Sequence, residues 1–158
     1  MKRTFDYKIG IISDTHGLVR QSVIKSFKDV NLIVHAGDVG KPEVLETLQT
    51  IAKAHPVRGN VDGGKWADSL PFTEVVQVGQ VYLYVLHDLE TLDLDPAAAG
   101  FNVVISGHSH IPEIKEQNGV IFLNPGSAGP RRFTYPITIA FLYIKGTSIE
   151  TEIVELKG

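Results

Sequence analysis

Asp14, His16, Asp38, Asn60, His87, His108 and His110 are nitrogen- and oxygen-bearing residues that each follow closely on an apolar run. Ile9 to Ile12 leads into Ser13-Asp14-Thr15-His16-Gly17, Leu32 to Ala36 into Gly37-Asp38, and Pro56-Val57-Arg58 into Gly59-Asn60-Val61-Asp62. Tyr82 to Leu86 leads into His87-Asp88, and Val103 to Ser106 into Gly107-His108-Ser109-His110. Asp14 and His16 lie two apart, so in extended backbone they project to the same side, where a carboxylate oxygen and an imidazole nitrogen can converge on one cation. A single such pair is common in loops and helix caps; repetition at successive strand ends gives it meaning. The donor set exceeds the needs of one ion and suits two divalent cations, manganese first, with iron, zinc, nickel and cobalt also compatible. Two cations about 3.5–4 Å apart, sharing a carboxylate, can polarise a phosphoryl group and activate a water together.

To converge, these residues need a scaffold that gathers strand ends, and an open α/β sheet does this at the carboxyl ends of its strands. After Gly17, the residues Val19, Val23, Ile24, Phe27 and Val30 fall on one helical face. A strand through Ala36 follows, then a helix with Pro42 at its first turn and Val44, Leu45, Leu48, Ile51 and Ala52 on one side. A third strand spans about 54–58. This β-α-β-α-β run predicts parallel strands with right-handed crossovers. Beyond Gly59 the pattern changes to strands joined by tight turns at Gly79-Gln80, Asn118-Gly119 and Lys145-Gly146, which predicts mostly antiparallel pairing. A helical turn is expected at Asp95-Pro96 through Ala99. Few helices and many apolar strands predict an α/β fold: a four-layer α/β/β/α sandwich of two mixed sheets flanked by helices.

The 158 residues fit a single domain, 1–158. With 43% hydrophobic and 21% charged residues, and a mean hydropathy of +0.05, the composition is that of a folded globular chain. There is no cysteine, which excludes disulfides, thiol catalysis and zinc ribbons. The amino terminus Met1-Lys2-Arg3-Thr4-Phe5-Asp6 is followed by too short an apolar run for a signal peptide, so a cytoplasmic location and no membrane partner are expected. A net charge of -3 argues against dedicated nucleic-acid binding.

The motifs Asp14-x-His16, Gly37-Asp38, Gly59-Asn60, His87 and Gly107-His108-Ser109-His110, in this order, resemble the calcineurin-like metallophosphoesterase superfamily, in particular its small bacterial and archaeal phosphodiesterases. The resemblance implies that Asp14, His16 and His110 hold one metal and Asn60, His87 and His108 the other, with Asp38 bridging. It also implies hydrolysis of a small-molecule or nucleotide phosphoester by a metal-bridging hydroxide, with Asp38, Asn60 and His108 at the reacting centre and Asn60 orienting the phosphate.

Two positions depart from that family's pattern. Val61 stands where many members carry a histidine that assists the leaving group, and valine donates no proton, which favours diesters or good leaving groups. Asp88 replaces a common glycine and is expected to cap the following turn. His35 is read as a hydrogen-bonded core residue, His55 as a surface one, and the acidic stretch Asp88, Glu90, Asp93, Asp95 as a solvated loop. Asn124-Pro125-Gly126-Ser127 with Arg131-Arg132 reads either as an edge of the substrate cleft or as an ordinary turn. The alternative to catalysis is a non-catalytic scaffold on the same fold that binds other proteins, from which loss of metal ligands is expected. A homo-oligomer is left open.

Overall fold

The computed structural model describes residues 4–157; Met1, Lys2 and Arg3 of the basic amino terminus lie outside the described residues. Strand β1 (Tyr7–Ile12) opens the chain, followed by α1 (Gln21–Ser26), β2 (Leu32–His35), α2 (Pro42–Gln49) and β3 (Lys53–Pro56). β4 (Thr73–Val78) and β5 (Val81–Leu86) form a hairpin; α3 (Pro96–Ala99), β6 (Val103–Ile105), β7 (Glu113–Gln117), β8 (Val120–Asn124), β9 (Thr138–Lys145) and β10 (Ser148–Glu155) complete it. They build two five-stranded sheets, in the orders β10-β9-β1-β2-β3 and β4-β5-β6-β8-β7.

In the first sheet β1, β2 and β3 pair in parallel, as the β-α-β-α-β pattern requires, while β9 and β10 add antiparallel strands on the other side of β1. Beyond Gly59 antiparallel pairing dominates, as expected, in β4–β5, β7–β8, β9–β10 and β1–β9, while β5, β6 and β8 pair in parallel at the centre of the second sheet. A tight turn fixes how β7 meets β8, but not the strand against which β8 then lies. Two of the expected turns fall where the sequence puts them, with Asn118 and Gly119 both at positive φ. The third shifts by one residue: Lys145 pairs with Ser148, so the turn is Gly146-Thr147, with Gly146 first at φ 59°.

The inner faces of the sheets meet in a core that includes Ile9, Ile11, Val34, Leu83, Val85, Ile105, Leu123 and Leu142. On the outer face of the first sheet α1 and α2 pack Val23, Val44 and Leu48 over Ile12, Ile33 and Ile139. The fourth layer is thin, with Leu89, Leu92, Leu94 and Phe101 of the loop around α3 covering Tyr84, Leu86 and Val104. α3 is the helical turn expected from the sequence, with Asp95 Oδ1 accepting from the backbone of Ala97 and Ala98. α1 is shorter than the apolar spacing predicts. Its last apolar residues leave the helix to serve the core: Phe27 lies edge-on to Phe141, and Lys8 holds Asp29 at 3.0 Å and Asn31 through its backbone.

Candidate metal centre

The loops after β1, β2, β3, β5 and β6 open at one end of the sandwich. The first two are joined by backbone hydrogen bonds from Asp14 N to Gly37 O, His16 N to Asp38 O and Gly17 N to Val39 O, each 2.8–3.0 Å. Ser127 Oγ adds a bond to the Asp14 carbonyl, and the Asn124 amide one to the Gly107 carbonyl. The Asn124–Ser127 turn therefore braces the loops of Asp14 and Gly107, while Arg131 and Arg132 are exposed.

Asp14, His16, Asp38, His108 and His110 all have positive φ, between 46° and 72°. Such backbone is uncommon outside glycine and strained, and it persists where surrounding bonds over-determine it. The glycine that precedes a donor serves close approach instead. A Cβ on Gly59 would overlap the backbone nitrogen and carboxylate of Asp38, and one on Gly107 would overlap the Ser13 hydroxyl and crowd the Asp14 carboxylate.

All seven donors predicted from the sequence come together. His110 Nε2 is 3.3 Å from Asp14 Oδ1, and His16 Nε2 is 4.0 Å from Asp14 Oδ1 and 3.9 Å from Asp38 Oδ2. His87 Nε2 is 3.2 Å from Asp38 Oδ2, 2.9 Å from Asn60 Oδ1 and 3.9 Å from Asp14 Oδ1; His108 Nδ1 is 3.1 Å from Asn60 Oδ1. Two groups have donor atoms all within 4.8 Å of one another: Asp14, His16, His110 and Asp14, Asp38, His87. Asp14 thus reaches both sides of the site, as Asp38 is expected to do. Asp14, Asp38, His87 and His110 are buried, His16 is half-buried, and Asn60 and His108 are exposed.

Three buried polar atoms, Asp14 Oδ1, His16 Nε2 and His110 Nδ1, have no hydrogen-bond partner among the described residues. Such atoms are costly unless something satisfies them. His87 poses the same problem: its Nδ1 donates to the Ala36 carbonyl, so its neutral form presents a lone pair at Nε2 to the oxygens of Asp38 and Asn60. Acceptors facing acceptors are relieved by a proton or a cation. Burial pulls His87 down, but the bond to Asp38, the Asp14 charge and the Ala36 carbonyl outweigh it and leave it raised. Burial likewise pushes Asp38 up, and bonds to His87 and the Val61 N–H, with the nearby histidine charges, reverse this to leave it lowered. Both shifts favour negative charge on the carboxylate and positive charge beside it, as in a cation site of hard and borderline donors.

Asp62 is a structural member of the site that the sequence did not single out as one. Its buried carboxylate accepts from the backbone N–H of Val39, Gly40 and Gly59 at 2.9–3.2 Å, tying the loop after β3 to the loop after β2. Its place two residues after Asn60 is the available signal. His35 is the core residue expected: its Nδ1 accepts from Gly37 N, so Nε2 donates to Thr15 Oγ1, which donates to the Val39 carbonyl. Burial lowers it to about 4. Asp88 caps the 3-10 turn Leu89–Thr91 through the Glu90 N–H, with Oδ2 3.8 Å from His108 Nε2.

A two-sheet sandwich whose strand-end loops gather carboxylates and histidines is a scaffold whose side chains could hold divalent cations. Residues 7–147 match the calcineurin-like phosphoesterase superfamily domain, and the chain belongs to that superfamily. It is 37% identical over 157 residues to a probable metallophosphoesterase of Methanothermobacter thermautotrophicus, covering 92% of this chain and 91% of that protein. It is 27% identical over 137 residues to a phosphodiesterase of Methanocaldococcus jannaschii, covering 75% and 82%. Among solved structures, vacuolar protein sorting 29 of Cryptosporidium parvum superposes with a TM-score of 0.77 at 19% identity, over 98% of this chain and all of that one, a likeness of fold. No helix among the described residues is long and apolar enough to cross a membrane.

Proposed function

We propose that the protein acts as a single domain, 1–158, and as a divalent-cation-dependent phosphoesterase with a preference for phosphodiesters. His87 carries this conclusion: with its Nδ1–H committed to Ala36, its Nε2 faces only acceptor oxygens, a set that a cation satisfies. Asp14, His16 and His110 would hold one ion and Asn60, His87 and His108 the other, with Asp38 between them. Two bound cations, manganese first, supply Lewis acidity to a phosphoryl group and lower the pKa of water.

The chain's own residues position the ester. Asn60 turns its carbonyl oxygen toward His87 and His108, which leaves its NH2 group to donate to a phosphate oxygen. Asp38 is fixed by the Val61 N–H at 3.0 Å, and the Val61 side chain, 53% exposed, stands at the mouth of the site. In the reaction a water oxygen bonds to phosphorus as one ester P–O bond breaks; the water gives up a proton to solvent, and the departing alkoxide must acquire one. Val61 supplies none, so esters with stabilised leaving groups react first.

Metal content after reconstitution with manganese, measured beside hydrolysis of an aryl phosphodiester and an alkyl phosphomonoester, tests the proposal. Two ions per chain and faster diester hydrolysis are expected. Failure to bind more than one ion, or metal-loaded protein with no esterase activity, overturns it.

A further inference from the structure

Beside the metal centre the loops after β5 and β6, with β7 and β8, enclose a pocket of about 360 Å³. His108 lines it, which makes the pocket continuous with the proposed reaction centre. Its size falls near the lower end of ligand sites, about 300–1,000 Å³, enough for one aryl- or nucleoside-sized group. Leu89 and Phe122 give it apolar walls.

Ser106 lines the same pocket and is only 5% exposed, yet its hydroxyl makes no hydrogen bond among the described residues. The other amide in the wall is committed, since Asn124 donates to Gly107 O and Ser109 Oγ and accepts from Gly126 N. Its oxygen opens onto the pocket, where a ligand group or a water can satisfy it.

Charge narrows the ligand further. Asp88, Glu90 and Glu113 line the pocket against one ammonium, Lys115, whose Nζ already lies 3.2 Å from Glu113 Oε1. A carboxylate or a further phosphate placed here would meet three carboxylates and, among the lining lysines and arginines, only Lys115, already paired with Glu113.

We propose that this pocket binds one ester substituent of the substrate: an uncharged group with a flat apolar face and a single hydrogen-bonding function that meets Ser106. The inference rests on the phosphodiesterase reading and deepens it. The substrate class becomes diesters with one neutral aryl- or nucleoside-like arm, and nucleoside polyphosphates and carboxylated esters are excluded.

Competition against hydrolysis of bis(p-nitrophenyl) phosphate by the manganese-loaded protein tests it, with dimethyl phosphate, methyl phenyl phosphate and methyl 4-carboxyphenyl phosphate as competitors. Methyl phenyl phosphate is expected to inhibit at about tenfold lower concentration than dimethyl phosphate, the return on burying one ring, and the carboxylated ester no better than dimethyl phosphate. Leu89→Trp, which fills the pocket, should erase the phenyl advantage while leaving dimethyl phosphate inhibition unchanged. Glu90→Lys should improve the carboxylated ester by about threefold, the scale of an exposed ion pair. Equal inhibition by the phenyl and methyl compounds, or a Leu89→Trp effect shared by all competitors, overturns the inference. If the protein hydrolyses no ester, the phosphodiesterase reading fails by itself, and the same ligands titrated by NMR decide the pocket. Shifts at Leu89, Ser106 and Phe122 with the phenyl ester alone support it, and their absence overturns it.

Discussion

The site has two unlike halves. On the side of the first sheet, Asp14 and Asp38 are buried, their loops are joined by backbone hydrogen bonds, and Asp62 clamps the next loop to them. On the side of the second sheet His87 and His110 are buried too, but His108 is exposed beside an open pocket, and the Asn124 amide and the Asp88 cap hold the loops around it. The first half fixes where charge sits, and the second leaves room for what arrives. Substitutions on the buried side should therefore cost binding and structure together, and those on the open side should change selectivity.

The largest effect is expected at Asp38. Asp38→Ala should abolish turnover and lower metal occupancy while circular dichroism reports an intact fold, because the hydrophobic core lies between and outside the sheets. Since Asp14 Oδ1 also reaches histidines on both sides, Asp14→Ala should be equally severe. Either variant retaining substantial activity at full metal loading would remove its carboxylate from the shared position.

Next comes Asp62, which touches no proposed ligand side chain. Asp62→Ala leaves three backbone N–H groups without their acceptor and should weaken metal affinity by about 10–100-fold, the usual cost of losing a supporting residue. Titration calorimetry with manganese checks this. Unchanged affinity would show that the loops after β2 and β3 hold each other without the clamp.

His35 sharpens the comparison through pH. In the unfolded chain its imidazole titrates near 6.5, whereas burial lowers it to about 4 in the fold, so between these values the unfolded state binds more protons. Its contribution to stability is full above pH 6.5 and is lost as pH falls through 4, a total of about 3 kcal/mol. Denaturant unfolding of metal-free protein at pH 7 and pH 4 should show a larger loss in the wild type than in His35→Gln. Equal losses would mean that His35 is not held neutral.

The smallest change belongs to Val61, an exposed residue on the largely buried first-sheet side. Val61→His should narrow the gap between aryl diesters and alkyl monoesters, by less than the ~10²–10⁴-fold of an aligned general acid. Rates on both ester types at matched metal loading measure it. No change in the ratio would show that position 61 does not reach the leaving oxygen.

Much of this was legible in the chain because the signals were local. Apolar runs ending at Gly37, Gly59 and Gly107 marked the strand ends, and the turns at Gly79 and Asn118-Gly119 announced their hairpins. Residue type and order single out seven side chains, and these lie side by side in the structure. What escaped depends on distant partners. Two of the three backbone N–H groups that meet Asp62 lie more than twenty residues earlier, and the parallel placement of β8 beside β6 is decided by sheet assembly after the β7–β8 turn is made. The left-handed backbone of Asp14 or His110 leaves no mark either, since no glycine stands there.

That backbone has a consequence for how such a chain would drift. Each non-glycine residue in the left-handed region costs roughly 1–2 kcal/mol relative to a relaxed conformation, and glycine relieves most of it. His108→Gly in metal-free protein should accordingly raise the melting temperature, and a lower one would show that the histidine side chain contributes more to the empty fold than its backbone costs. If the temperature rises, the ligand positions are where random substitution under selection for folding alone would improve the molecule first. A lineage that kept this sandwich only as a docking platform would be expected to shed these residues early, and the proposed use of the site accounts for the five strained positions that remain.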